Sequence, residues 1–148
     1  MQPSFRLATL LLAGLLAGCA GQAAPPAKPV TVAELASATT TASGQPIRLP
    51  SGDIRVVLSD YRIAPAAKLP VHKHPYPRYA VVQSGTLAVT NQDTGQTTTY
   101  RSGDLVVEAV DQWHSAVNAG TDEVHLLVLD EIPGSGSNTI LQEQASQP

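Results

Sequence analysis

The chain has little of the chemistry that cysteine and aromatic side chains supply. Its 148 residues include one Cys, one Trp, one Phe and one Met, and aromatic residues make up 4%. The single cysteine is Cys19, so no disulfide can form within the chain, and the remaining sequence offers no thiol to a metal or a substrate. No Ser-His-Asp arrangement or phosphate-binding glycine loop is discernible either. These absences exclude most hydrolase mechanisms except those that use a metal ion.

Charge is also sparse. Charged residues make up 14% of the sequence, the formal net charge is −3, and no run of basic residues occurs. Loss of a leader through residue 18 would remove Arg6 and leave eight basic and 12 acidic residues, a formal charge of −4. A weakly acidic chain without a basic run is not expected to bind nucleic acid.

The first residues are typical of an export signal. Arg6 precedes an apolar run over residues 7–16, which is too short to span a membrane. The sequence Leu-Ala-Gly-Cys that ends at Cys19 resembles a bacterial lipobox, which implies that residues 1–18 are a signal peptide and that Cys19 is acylated, as with palmitate. The alternative is an ordinary secretory signal with a chance cysteine. Ala20 resembles the sorting pattern for the outer membrane, so we expect a lipoprotein held there by its lipid alone and facing the periplasm.

Two regions follow the leader. Residues 19–46 are rich in Ala, Pro, Thr and Ser, and this composition predicts a flexible tether. From Ile47 the sequence consists of short β-rich runs between turn residues without a helical period, which predicts a single all-β domain, a barrel or sandwich, over residues 47–141. The predicted strands are Ile54–Tyr61, Ala80–Ser84, Thr86–Thr90, Thr97–Arg101, Leu105–Ala109, Ser115–Asn118 and Val124–Asp130.

Three of the four histidines form a pattern that suits a metal ion. His72 and His74 are two residues apart on an extended segment, so both imidazoles point to one face, and a returning strand would bring His114 to them. Neutral imidazole suits Fe, Mn, Zn and Cu. The pattern predicts a three-His site for a divalent transition metal. The alternative is a set of interior histidines that are held by hydrogen bonds and bind no ion.

The histidine spacing resembles the first motif of the cupin family, G(X)5HXH(X)3,4E(X)6G. His72 and His74 stand at the two histidines and Gly85 at the final glycine. Ala66 stands at the first glycine, and Arg78 stands at the glutamate. The first motif is therefore present, but its carboxylate is not.

The second motif of that family, G(X)5PXG(X)2H(X)3N, is matched further along the chain. Gly103, His114 and Asn118 fall on it, whereas Ala109 replaces the proline and Asp111 the second glycine. The resemblance implies a small jelly-roll β-barrel of the cupin type, with a metal shell that normally consists of three histidines and one carboxylate.

Among the differences from the cupin motifs, Arg78 in place of the glutamate affects the metal site most, because a guanidinium cannot ligate a metal and would repel a cation. Three arrangements are open: Arg78 binds a substrate carboxylate or phosphate by a bidentate contact, Glu108 supplies the missing carboxylate or neutralises Arg78, or Arg78 points to solvent. Glu108 itself faces either the interior or the rim. Tyr76 is a candidate hydroxyl donor near the histidine pair, with packing as its alternative.

The preferred function is that of a small metal-binding cupin lipoprotein, acting on a small anionic substrate by oxygenase-type or Lewis-acid chemistry. The competing function is a non-catalytic periplasmic binding module for a small ligand or metal ion, and a third is an inert barrel with a structural role. Whether the protein is an enzyme stays open at this point. The resemblance also implies a homodimer, formed through sheet edges or terminal strands.

Overall fold

A computed structural model describes residues 30–143, and a compact unit begins at Ala33. The predicted signal peptide over residues 1–18 and the predicted lipidation site Cys19 lie outside the described residues. Within the described part of the chain, no helix is long and apolar enough to cross a membrane.

The structure confirms the predicted all-β jelly roll. The strands are β1 (Ile54–Ile63), β2 (Lys68–Lys73), β3 (Arg78–Ser84), β4 (Thr86–Asn91), β5 (Thr97–Arg101), β6 (Leu105–Val107), β7 (His114–Asn118), β8 (Val124–Pro133) and β9 (Ile140–Leu141). They form two antiparallel sheets with the orders β1-β8-β3-β6 and β5-β4-β7-β2-β9, and apolar residues from both sheets form one core. Buried and more exposed positions alternate along the strands, as along β8, because successive side chains of a strand point to opposite faces.

The segment that carries the histidine pair forms a strand that the sequence did not predict. β2 pairs with β7, but the register shifts between Leu69 and His72. Pro70, which has no backbone N–H to donate, falls within this irregularity. On its other side, β2 pairs with β9 through His72 and Lys73. β2 therefore lies between β7 and β9, with its one proline at the irregular point.

Several turns between strands use the left-handed backbone region. Gly85, between β3 and β4, has a φ of 84°, and a Cβ there would lie 2.8 Å from the Cα of Val124. Glycine is thus required by both conformation and space. Ala66 and Asp111, which stand where the cupin motifs have glycine, also have positive φ values of 61° and 55°.

The segment that precedes Ile47 lies on the barrel. Thr40 and Pro46 form a β-bridge, and the Ala42 N–H donates to the Val107 carbonyl at 2.7 Å. The Gln45 side-chain amide bonds to both backbone groups of Val110, at 2.9 Å each. Residues 40–46 are therefore bonded to the barrel, in part through a side chain whose backbone partner is 65 residues away along the chain.

Candidate metal centre

The fold brings the three predicted histidines together at one end of the β2–β7 pair. His72 on β2 lies directly opposite His114, the first residue of β7. His74 follows β2 and forms a parallel bridge with Val110. The ring centroids are 4.5 to 5.0 Å apart, and all three side chains are buried.

Each of these imidazoles has its Nδ1 atom within hydrogen-bond reach of a backbone carbonyl. A carbonyl oxygen can only accept, so Nδ1 carries a proton and donates it, which leaves Nε2 as the nitrogen available to a metal ion. The partners are Pro70 for His72 at 2.7 Å, Gln112 for His114 at 2.9 Å, and Asn138 for His74. This pattern of outer hydrogen bonds is the one that orients metal-binding histidines.

Glu108 completes the cluster from the residue that follows β6. Its Oε2 atom lies 2.6 Å from Nε2 of His74 and 3.0 Å from Nε2 of His114. One ligand atom from each of the three histidines and Glu108 lies within 4.8 Å of the others. The structure thus places Glu108 at the site, as the second of the three predicted arrangements has it. Three imidazoles and one carboxylate are a donor set that suits Fe, Mn, Zn or Cu.

Charge and burial act on these groups in opposite directions. Burial lowers the pKa of His72 to about 4, and its bond to the Pro70 carbonyl only partly opposes this. Burial also lowers the pKa of His114, but the hydrogen bond and the charge of Glu108 outweigh it and raise that pKa above the usual value. Burial raises the pKa of Glu108, but hydrogen bonds from His114 and His74 hold it far below its ordinary range. Glu108 is therefore an anion that faces the imidazoles of His74 and His114.

Arg78 is buried beside the cluster, and its guanidinium is already paired. Arg78 on β3 lies opposite Asp130 on β8, with Nε 2.9 Å from Oδ1 and Nη2 2.8 Å from Oδ2. Burial lowers the pKa of Arg78, but the bonds to Asp130 raise it overall. Arg78 does not point to solvent, since it is 6% exposed. Asp130 occupies the edge formed by Nε and Nη2, and contact of Arg78 with a ligand stays a prediction.

A buried asparagine in the C-terminal segment forms a hydrogen bond to the Arg78–Asp130 ion pair. The Asn138 side-chain amide donates to Oδ1 of Asp130 at 2.6 Å, and its oxygen accepts the backbone N–H of Tyr76 at 3.0 Å. Tyr76 therefore takes part through its backbone. Its role as a hydroxyl donor stays a prediction, and its side chain lines neither of the two cavities at the cluster.

Two small cavities meet at the cluster, and each is lined by a tyrosine that the sequence did not single out. The inner cavity, of about 20 Å³, has Tyr61 with Arg78 in its wall. The outer cavity, of about 30 Å³, has Tyr100 in its wall and is bounded by Ala42 of the N-terminal segment. Glu108 and His114 border both. Tyr61 is two residues from the buried Ile63, so the two side chains share a face of the strand. This alternation is a weak sequence signal that Tyr61 faces the barrel interior.

Comparison with known families and structures agrees with this architecture. Residues 59–130 match the model of a cupin domain. The comparison with curated proteins gives no match. Among solved structures, the polyketide cyclase RemF from Streptomyces resistomycificus is 20% identical with a TM-score of 0.51, and the match covers 68% of this chain and 69% of that one.

Two further structures are similar at lower TM-scores. A conserved double-stranded β-helix protein from Klebsiella pneumoniae is 22% identical with a TM-score of 0.49, over 66% of this chain and 91% of that one. The cupin domain of Cnp3 from Schizosaccharomyces pombe is 16% identical with a TM-score of 0.46, over 50% of this chain and 53% of that one. This chain therefore matches about half of the length of the Cnp3 chain. At such identities the likeness concerns the fold alone.

Proposed function

The chain belongs to the cupin superfamily through residues 59–130, and we propose that this domain is a metal centre for a small ligand. His72, His74, His114 and Glu108 would hold one divalent ion of Fe, Mn, Zn or Cu. The observation that carries the proposal is the shared orientation of the imidazoles. All three Nδ1 atoms meet backbone carbonyls, and one ligand atom of each imidazole lies within 4.8 Å of the others and of a Glu108 oxygen.

When bound, such an ion supplies Lewis-acid polarisation of a ligand oxygen or, as iron, chemistry with O2. The chain's own residues orient and isolate the site. The backbone carbonyls fix the imidazole rings, so little ordering entropy remains to be lost on binding. The inner cavity is otherwise lined mainly by aliphatic side chains, which keep bulk water away from the donors.

A binding module without turnover is the second candidate, and one observation favours it. Glu108 is the one carboxylate among the residues that line the two cavities, and it already meets His74 and His114. No free acid–base pair is present in these linings, although general acid–base catalysis needs a positioned proton donor or acceptor.

Cobalt substitution tests the proposed metal centre. Co²⁺ bound by three imidazoles and a carboxylate should give visible absorption bands that titrate to one ion per chain. The bands should disappear in His74→Ala and persist in His125→Ala, which removes the histidine outside the cluster. His125 lies on β8 next to Asp60 at 2.7 Å, so it is a matched control of the same residue type. Persistence of the bands in His74→Ala would refute the ligand assignment.

A further inference from the structure

One nitrogen of Arg78 is left over from its ion pair. Nε and Nη2 are bonded to Asp130, and Nη2 also reaches the Thr139 hydroxyl at 3.0 Å. The remaining nitrogen, Nη1, has only Nε2 of His74 near it, at 3.5 Å, which is longer than a normal hydrogen bond. That Nε2 atom is also the one proposed to bind the ion. With an ion bound, its lone pair is no longer available to Nη1.

A buried cationic N–H group without an acceptor is costly. Arg78 is only 6% exposed, and among the described residues no other acceptor lies within hydrogen-bond reach of Nη1. The acceptor that is needed must therefore come from outside the protein. It must also fit beside the imidazole of His74.

The charges of the cluster specify the sign of that acceptor. Asp130 neutralises Arg78, and Glu108 offsets one of the two charges of a divalent ion. The neutral imidazoles add nothing, so the loaded site would carry one uncompensated positive charge inside the barrel. Uncompensated charge is strongly disfavoured in a low-dielectric interior, and one bound monoanion would remove it.

The cavity limits the size of that anion. The inner cavity is about 20 Å³ and is bordered by Arg78, Glu108, His72 and His114. A single water needs about 10–15 Å³ of such space, so the cavity limits the ligand to an anion of very few atoms. The rest of the wall consists of Tyr61 and apolar side chains such as Leu126 and Val128.

We propose that the inner cavity is an anion site, in which a small monoanion such as formate is held jointly by the metal ion and by Nη1 of Arg78. This inference rests on the proposed metal centre and names its ligand class. Arg78 is then a ligand-binding residue through one nitrogen, while its other nitrogens serve the ion pair.

Anion titration of the Co²⁺-loaded full chain, purified in detergent, tests this proposal. Azide and formate are the probes, benzoate is the oversized control, and the readouts are visible absorption and calorimetry. The variants are the double substitution Arg78→Gln/Asp130→Asn, which removes both charges of the pair together, and Arg78→Lys, which keeps the charge but lacks Nη1. Metal content and unfolding by urea are measured for each variant.

The expected result is one azide or formate per ion in the native protein, no benzoate, and affinity about 10- to 100-fold lower in both variants at unchanged metal content. Absence of Co²⁺ from the native protein would refute the metal centre itself. Native protein that binds Co²⁺ but neither probe would overturn the anion site alone, as would equal affinity in the variants. Loss of metal from both variants would mean that Arg78 is needed to position the metal-binding imidazoles. That result would also overturn the anion site.

Discussion

Glu108 faces two buried imidazoles, and its carboxylate is the single acidic group of the metal cluster within the described residues. Glu108→Gln keeps the shape of the side chain but removes its charge. We expect metal affinity to fall by about 100-fold. Even the loss of a residue that only hydrogen-bonds to a metal ligand typically lowers metal affinity by about 10- to 100-fold. Competition with a chelator of known affinity measures this.

Glu123→Gln is the control for that substitution, because the Glu123 side chain is about half exposed and lies outside the cluster. It should leave the affinity unchanged. Equal metal affinity for Glu108→Gln and the native chain would contradict the assignment of Glu108 as a ligand.

That His72 and His74 point to one site could be predicted from the sequence because the two residues are close together in the chain. His72 and His74 share a face on any extended segment, and the cupin motif places His114. The partner of Arg78 could not be predicted in this way, because Asp130 is 52 residues away and meets it only through the register of β3 and β8. The role of Glu108 was one of several open arrangements, since strand alternation alone leaves its direction undecided.

Two tight turns between strands differ in whether the residue at their positive φ is a glycine. Ala66 has a φ of 61° and is exposed, whereas Gly85 has a φ of 84° and approaches Val124. We expect Ala66→Gly to be neutral or to stabilise by about 1 kcal/mol, since relief of the left-handed strain exceeds the entropy gained by the unfolded chain. Gly85→Ala should destabilise by about 2 kcal/mol or more, from strain and collision together.

Urea denaturation of the two glycine–alanine exchanges measures these differences. A marked loss of stability in Ala66→Gly would contradict the description of this turn. So would a neutral Gly85→Ala.

The N-terminal segment should contribute to the stability of the barrel. Removal of residues 1–46 deletes the Ala42 bond to Val107 and both bonds from Gln45 to Val110. At about 1 kcal/mol for each hydrogen bond, the free energy of unfolding should fall by about 2 to 4 kcal/mol relative to a chain that lacks residues 1–32. Equal stability of the two truncated chains in urea would contradict the contacts of this segment.

Strands with a clear alternation of apolar and polar residues can be predicted from the sequence, whereas segments whose conformation depends on distant partners cannot. β5 has the predicted bounds, and β1 and β8 extend the predicted runs by a few residues. β2 was missed because Pro70 argues locally against a central strand, although its pairing shifts at that point. Residues 40–46 were assigned to the tether because their composition is polar, and the bonds of Gln45 to Val110 are not visible in composition.

For the whole molecule, the envelope location and the homodimer stay predictions. We propose that Cys19 carries the lipid that holds the protein at the outer membrane, on the basis of the lipobox-like residues 16–19. Cys19→Ser should abolish metabolic labelling with palmitate and move the protein from the membrane fraction to the soluble periplasmic fraction. Unchanged labelling and fractionation would favour attachment elsewhere.

The most direct test of the metal centre is mass spectrometric analysis of metals in the protein purified from its native host without a His-tag. The double variant His72→Ala/His114→Ala, purified in parallel, is the comparison. The metal centre predicts close to one Fe, Mn, Zn or Cu ion per chain in the native protein and a loss of that ion in the variant. A native protein without metal, or a variant that keeps the same metal content, would contradict it.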